Sequence, residues 1–411
     1  MDQISFQWYK SCVMKIVHII TRLIVGGAQE NTLLTCEGLQ QRGHEVTLLT
    51  GPSPGPEGTL LERAFAAGYQ VLVSPHLVRS PHPYHDAAAY FEIKRLVKHL
   101  QPDVVHTHSS KAGVLGRSAA WNAGGIYGKP LVVHTIHGLP FHPYQNFLAN
   151  RLWKALERRA ANRCHHIICV ADAMTRQALA AGIAKRSGPD FFTTIYSAMD
   201  TAPFLNPGVT SRQVRERLNI PPDAYVFGTI ARLQPLKGHD DLLATAGELF
   251  AKVPDAHLLW VGDGVFHDRF EGILRQNGWS NRVTLTGLVP PDQVPLLLPA
   301  MDALVHPSYR EGLARALPQA LLAGVPVVSY DCDGAAEVCI PPPSPTPTGL
   351  LVPTGDSEAL CRAMIQLASD RGTAALMGVN GRALCRERFA ADTMVTRIES
   401  LYQRLGATIA T

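Results

Sequence analysis

Two stretches of the chain carry the same order of parts. Residues 15–20 are rich in β-branched side chains, Val25-Gly26-Gly27-Ala28 follows, and a helical pattern from about 29 to 42 precedes another β-rich run at 46–50. About 210 residues later, 225–230 is again β-rich and is followed by Arg232-Leu233-Gln234-Pro235-Leu236-Lys237-Gly238. Leu242, Leu243, Ala246, Leu249 and Phe250 then recur at helical spacing, with Asp240 and Asp241 in the first turn, where acids suit the positive end of a helix. Strand-like runs continue at 104–106, 131–135 and 166–170, then at 257–261, 283–286, 303–305 and 327–329, with helical patterns between them. Such alternation builds parallel sheets with helices on both faces. The fold class expected is α/β, with two doubly wound, Rossmann-like domains facing a central cleft at the carboxyl ends of their strands.

A length of 411 residues exceeds one ordinary core and fits two domains. Met199-Asp200-Thr201-Ala202-Pro203 breaks regular structure, so the expected division is 14–203 and 204–389, with a terminal helix over 390–411. Residues 1–13 read as a loose extension, because the first strand starts at Met14-Lys15-Ile16-Val17 and no signal-peptide core precedes it. No apolar run is long enough to span a bilayer. A net charge of +4 is too mild for a nucleic-acid partner. The eight cysteines form no Cys-x-x-Cys pair, and several sit in apolar runs such as Ile167-Ile168-Cys169-Val170, which fits a reduced cytoplasmic protein. The histidines of His106-Thr107-His108 and His165-His166 have no matching ligand set in the sequence, and Asp331-Cys332-Asp333 is a short pattern that continues as a turn; no metal is expected. The proline-rich run 340–347 is expected to be an exposed loop.

Several positions could carry chemistry. Arg232 and Lys237 flank a strand-to-helix loop bracketed by Gly228 and Gly238, and a planar guanidinium beside a compact ammonium suits a diphosphate. Gly26 and Gly27 would permit close backbone approach or a positive φ, but they do not form a Gly-x-Gly-x-x-Gly loop. His137 follows the strand at 131–135, next to Gly138, and can equally be a cleft residue or a structural one. His106 and His108 precede Ser109-Ser110-Lys111 and are expected to cap the next helix more than to bind a ligand. Tyr309 to Val328 places Glu311 and Gln319 in an otherwise apolar stretch; if all the residues between are helical, the two lie about 12 Å apart. Pro318 either kinks that helix or marks its first turn, and in the second case the pair lies on a loop followed by a helix. The basic helix over 151–163 reads as a solvated face, with an anionic membrane surface as the alternative.

Gly228-Thr229-Ile230-Ala231-Arg232 through Lys237-Gly238, and Glu311-Gly312-Leu313 through Ala323-Gly324-Val325-Pro326-Val327-Val328, resemble the donor-domain signatures of glycosyltransferase family 4, retaining enzymes of the GT-B fold. Val25-Gly26-Gly27-Ala28-Gln29 resembles the family's glycine loop, and Thr348-Gly349-Leu350-Leu351-Val352-Pro353 its late donor-domain motif. The segments 103–113 and 134–138 are similar to members that build bacterial surface polysaccharides. The resemblance implies that Arg232 and Lys237 hold the donor diphosphate and that Glu311 contacts the hydroxyls of the transferred sugar. It implies further that the amides of Gly312, Leu313 and Ala314 add phosphate donors, that His137 touches the sugar near the reacting carbon, that Gly27 lets backbone approach the diphosphate, and that the loop at Leu288 meets the base. The terminal helix would cross back onto the first domain. In the family a glutamate holds the ribose where this chain has Gln319, which weakens the expected grip without abolishing it.

The activity implied is transfer of a hexosyl group from a nucleoside diphosphate sugar to a hydroxyl acceptor, with retention and without a metal or other cofactor. A lipid-linked saccharide acceptor and peripheral contact with the inner membrane face fit the resemblance. A sugar-nucleotide epimerase or a non-catalytic sugar-nucleotide-binding protein on the same fold are the alternatives.

Overall fold

The computed structural model describes residues 13–53, 58–185 and 187–410. The extension expected before Met14 lies outside the described residues, except for Val13. The first sheet is built from β1 (Lys15–Arg22), β2 (Glu45–Gly51), β3 (Gln70–Val73), β4 (Val104–His108), β5 (Leu131–Ile136), β6 (His166–Cys169) and β7 (Phe192–Thr194). The second contains β8 (Tyr225–Ile230), β9 (Ala256–Val261), β10 (Val283–Leu285), β11 (Ala303–His306), β12 (Val327–Tyr330) and β13 (Gly349–Val352). Their orders are β3-β2-β1-β4-β5-β6-β7 and β10-β9-β8-β11-β12-β13. Registered pairs in both sheets are parallel. Helices on both faces leave no solvent side, so strands such as β5 and β9 are buried at every position and are mainly apolar, with His134, Thr135 and His257 as buried polar exceptions.

In each sheet the order reverses once, between β1 and β4 and between β8 and β11. Chains leaving neighbouring strands in opposite directions open a crevice at their carboxyl ends, the ligand position of doubly wound sheets. Packing divides the molecule into two compact units, residues 1–135 with 155–167 and 397–411, and residues 136–154 with 168–396.

Within the first unit, Glu399 of the Ala391–Ala410 helix pairs with Arg42 at 2.7 Å and His44 at 3.1 Å, and Tyr402 Oη lies 2.5 Å from His106 Nδ1. The helix face Met394, Val395, Ile398, Leu401 and Tyr402 is buried, as its spacing requires. The core of the second unit gathers Phe227, Leu242, Leu249, Trp260, Phe270, Leu360 and Met364. Among the described residues all seven cysteines are buried free thiols, and no helix is long and apolar enough to cross a membrane.

Candidate active site

The switch point of the second sheet brings together two loops that are far apart in sequence. After β8 the chain passes Arg232 and Lys237 and enters the His239–Lys252 helix; after β11 it passes Ser308 and Glu311 and enters the Ala316–Leu322 helix. Gly238 joins them. Its φ is +74°, and a Cβ there would lie 2.0 Å from the Pro307 carbonyl oxygen, so only glycine allows the backbones to meet. Leu236 also takes a positive φ, and its carbonyl accepts the Tyr309 amide at 3.0 Å. Gly228, expected to flank a phosphate site, serves packing instead, because the Met301 thioether fills the place where its Cβ would be.

The two loops converge on one carboxylate oxygen. Glu311 Oε1 accepts from Lys237 Nζ and from Ser308 Oγ at 2.8 Å, and His306 Nε2 lies 3.4 Å away. Burial alone would raise the Glu311 carboxyl; the Lys237 ammonium and then His306 outweigh it and hold the group well below the usual carboxylate range. The side chains of Lys237 and Glu311 remain 17% and 20% exposed, so the pair is open to a ligand on one side. His306 and Ser308 carried no sequence signal of their own. They follow from register, since β11 ends beside β8 and feeds this loop.

The backbone around Glu311 is pinned from behind. Its amide donates to Asp333 Oδ2 at 2.7 Å, while Asp333 Oδ1 accepts from Gln177 Nε2 at 2.7 Å. The Asp331-Cys332-Asp333 turn thus spends its second carboxylate on loop geometry. Gly312 lies against the chain after β5: a Cβ would fall 2.0 Å from the His137 carbonyl oxygen. The next amides, of Gly312, Leu313 and Ala314, donate no hydrogen bond among the described residues, although Leu313 and Ala314 are buried. Three consecutive donors without an internal acceptor suit an anion supplied from outside.

His137 belongs to this unit, and burial, with the Arg315 guanidinium adding to it, pulls its imidazole down to about 3. It is therefore neutral in ordinary buffers. Arg232 is exposed, and its side chain makes no hydrogen bond or ion pair among the described residues. Leu288 is 65% exposed beside Gly287, which bridges to Gly262. Gln319 is half-buried on the first turns of the Ala316–Leu322 helix. That helix starts at Ala316 with Pro318 in its first turn, so Glu311 stands on the preceding loop and the unbroken helical spacing from Glu311 to Gln319 is corrected.

Other sequence candidates lie elsewhere. Gly26 and Gly27 are in the first unit at the start of the Gly27–Gln41 helix; Gly26 is extended at φ 177° and Gly27 is helical, so neither uses a positive φ. His106 and His108 do not cap the Ser110–Ala123 helix. They are buried in β4 beside His18 of β1, and the three imidazoles offer nitrogens within 4.8 Å of one another, a cluster their separation in sequence concealed. His18 Nδ1 lies 3.0 Å from His108 Nε2, and both His106 nitrogens reach hydroxyls, those of Tyr402 and Thr135. Asp241, expected to serve the helix N-terminus, accepts from the hydroxyls of Tyr309 at 2.7 Å and Tyr330 at 2.6 Å.

A cavity of about 520 Å³ opens beside Glu311. Its walls include Phe141, His142 and Tyr144 after β5, Asn150 and Lys154 of the Phe147–Ala161 helix, and Arg310. Arg310 donates to the Leu139 carbonyl, and Tyr144 meets Tyr309 edge-on at 5.6 Å between ring centres.

Two doubly wound parallel sheets with a cation–carboxylate cluster at the second switch point define a GT-B glycosyltransferase, and comparison with known proteins agrees. Residues 25–201 match the family model described as Glycosyltransferase Family 4, and residues 210–384 match Glycosyl transferases group 1. The chain belongs to glycosyltransferase family 4. It is 26% identical to the UDP-Gal:alpha-D-GlcNAc-diphosphoundecaprenol alpha-1,3-galactosyltransferase of Escherichia coli, over 95% of this chain and 96% of that one. It is 29% identical to the 2-deoxystreptamine N-acetyl-D-glucosaminyltransferase of Streptomyces fradiae, over 84% and 83% of the two chains. Among solved structures, Anabaena Alr3699/HepE in complex with UDP superposes with a TM-score of 0.76 at 20% identity, covering 95% of this chain and all of that one. Sucrose-phosphate synthase from Thermosynechococcus elongatus gives 0.77 at 21% identity, covering 96% of this chain and 99% of that chain.

Proposed function

We propose that this glycosyltransferase moves a hexosyl group from a nucleoside diphosphate sugar to a hydroxyl acceptor with retention, in the synthesis of a cell-surface polysaccharide or glycolipid. The observation that carries the reading is the pairing of Lys237 with Glu311 at the switch point, beside the three amides of residues 312–314 that lack an acceptor. Lys237 and Arg232 take the diphosphate, with those amides completing its hydrogen bonds. Glu311, held ionised, accepts from the sugar hydroxyls once the diphosphate draws Lys237 toward itself. Neutral His137 stands near the reacting carbon, Gln319 takes the ribose and Leu288 covers the base.

The chemistry asks more of the leaving group than of a nucleophile. The bond from the anomeric carbon to the phosphate oxygen breaks, the acceptor oxygen bonds the same carbon on the same face, and the acceptor proton passes to the departing phosphate. Fixed cations and amides stabilise the charge that develops on that phosphate, so no metal is required. The acceptor proposed is a lipid-linked saccharide at the inner membrane face. Support comes from a relative whose name specifies a diphosphoundecaprenol acceptor.

A thermal-shift panel of UDP and GDP sugars tests the reading. At least one should raise the melting temperature, and transfer should then release the matching nucleoside diphosphate with the anomeric configuration kept. No shift with any sugar nucleotide, or an inverted product, would contradict it.

A further inference from the structure

We propose that His306 is a positioning residue for transfer. When the diphosphate draws Lys237 away, its imidazole takes over as hydrogen-bond donor to Glu311 Oε1 and keeps Oε2 aimed at the sugar. The inference rests on the function proposed above and extends it to a residue that touches no phosphate. The Glu311 carboxylate is used unevenly. Lys237 Nζ, Ser308 Oγ and His306 Nε2 all face Oε1, the last two at 2.8 and 3.4 Å, while Oε2 accepts no hydrogen bond among the described residues. Groups gathered on one oxygen fix the plane of the carboxylate and leave the other oxygen for a ligand.

Lys237 is the strongest of the three partners, and it is also the one a diphosphate attracts. Once it moves, the carboxylate would keep Ser308 alone, and a largely buried carboxylate short of hydrogen bonds is costly. His306 is placed to meet that need. It ends β11, whose other residues Ala303, Leu304 and Val305 are buried and apolar. Its imidazole is 5% exposed, and neither ring nitrogen makes a hydrogen bond among the described residues. An apolar side chain would fill this place at lower cost, because a buried imidazole without partners forfeits its hydrogen bonds to water. A local rule broken without local gain marks a functional position. The 3.4 Å separation from Oε1 is long for a hydrogen bond, and a shift of a few tenths of an ångström closes it.

The surroundings leave the imidazole this one use. Neighbouring His239 packs against the rings of Trp260 and Phe270 at 5.0 and 5.7 Å between centres. Burial, and then His306 beside it, pulls the His239 imidazole down to about 4, so it brings no competing charge. The acids of the same helix turn are engaged elsewhere: Asp240 pairs with Arg269, and Asp241 accepts from the hydroxyls of Tyr309 and Tyr330. Glu311 is the acceptor left for His306 Nε2. An ionised carboxylate can only accept, so Nε2 carries the proton in this contact.

Two variants test the proposal, assayed with the sugar nucleotide that stabilises the wild type. His306→Leu should lose at least about tenfold in kcat while its affinity for the bare nucleoside diphosphate stays within about threefold. His306→Gln, whose amide Nε2 can reach the same place, should recover most of the turnover. Turnover by His306→Leu within about twofold of wild type, or equal losses in both variants, would overturn the proposal. So would parallel losses of turnover and nucleotide affinity in His306→Leu, which mark a structural role. A spectroscopic arm needs no folded leucine variant. In wild-type protein labelled with 15N-histidine, sugar nucleotide should move the His306 Nε2 resonance, assigned by its absence from His306→Gln; an unmoved resonance would overturn the proposal too. A wild type that no sugar nucleotide stabilises would remove the donor reading and this inference with it. A wild type that binds and turns over keeps that reading whatever the His306 variants do.

Discussion

Glu311 carries more of the site than any other residue because four groups converge on it: Lys237, Ser308 and His306 at its carboxylate, and Asp333 at its amide. Glu311→Gln keeps the shape and removes the charge. The Lys237 ammonium then lacks its counter-charge, and sugar hydroxyls meet a weaker acceptor. We expect a loss of at least about a hundredfold in turnover with a small change in melting temperature, measured by nucleotide release and by circular dichroism. Gln319 makes a complementary test. Gln319→Glu would replace a neutral hydrogen bond to the ribose with a charged one, so donor affinity should rise about fivefold by titration calorimetry. An unchanged affinity would place the ribose elsewhere.

The elements matter through where they stop. Gly238 ends a loop in the left-handed region and admits the Pro307 carbonyl; Gly238→Ala adds both backbone strain and a clash. The variant should lose about 1–3 kcal/mol or more in chemical denaturation, and it should lose transfer beyond the fraction unfolded because Lys237 shifts. The strands and the alternation were legible because fully buried parallel strands read as mainly apolar, β-branched runs even where a His or Thr interrupts them. Glu311, Lys237 and Arg232 were legible as charges at the mouths of strands. What stayed hidden depends on register and on packing between distant segments. Nothing near Gly228 in sequence announces Met301, and nothing near His106 announces His18. Pro318 left two helix starts open, and the structure takes the later one because the Glu311 loop is tied down by Asp333.

At the scale of the molecule, buried imidazoles set the response to acid. Burial pulls His18 and His137 down to about 3, and His166, His239 and His257 down to about 4. These groups are neutral in both folded and unfolded chains above the ordinary histidine value of 6.5. As pH falls below it, the unfolded chain binds protons that the folded chain refuses, so stability declines from about 6.5 toward 4. The melting temperature should therefore drop steeply across that window and stay level from pH 7 to 8, as calorimetry at a series of pH values would record. Glu311 behaves alike in sign but further down the scale, since its lowered folded value keeps it ionised through the whole window.

The most direct test of the donor site is turnover by Lys237→Ala with the sugar nucleotide that stabilises the wild type. Glu311 keeps Ser308 and His306 as partners in that variant, so the fold should persist with a loss of about 1–3 kcal/mol. Transfer should be abolished while the circular dichroism spectrum is retained. Wild-type-like turnover by folded Lys237→Ala would contradict the assignment of the β8–β11 switch point as the place where the diphosphate departs.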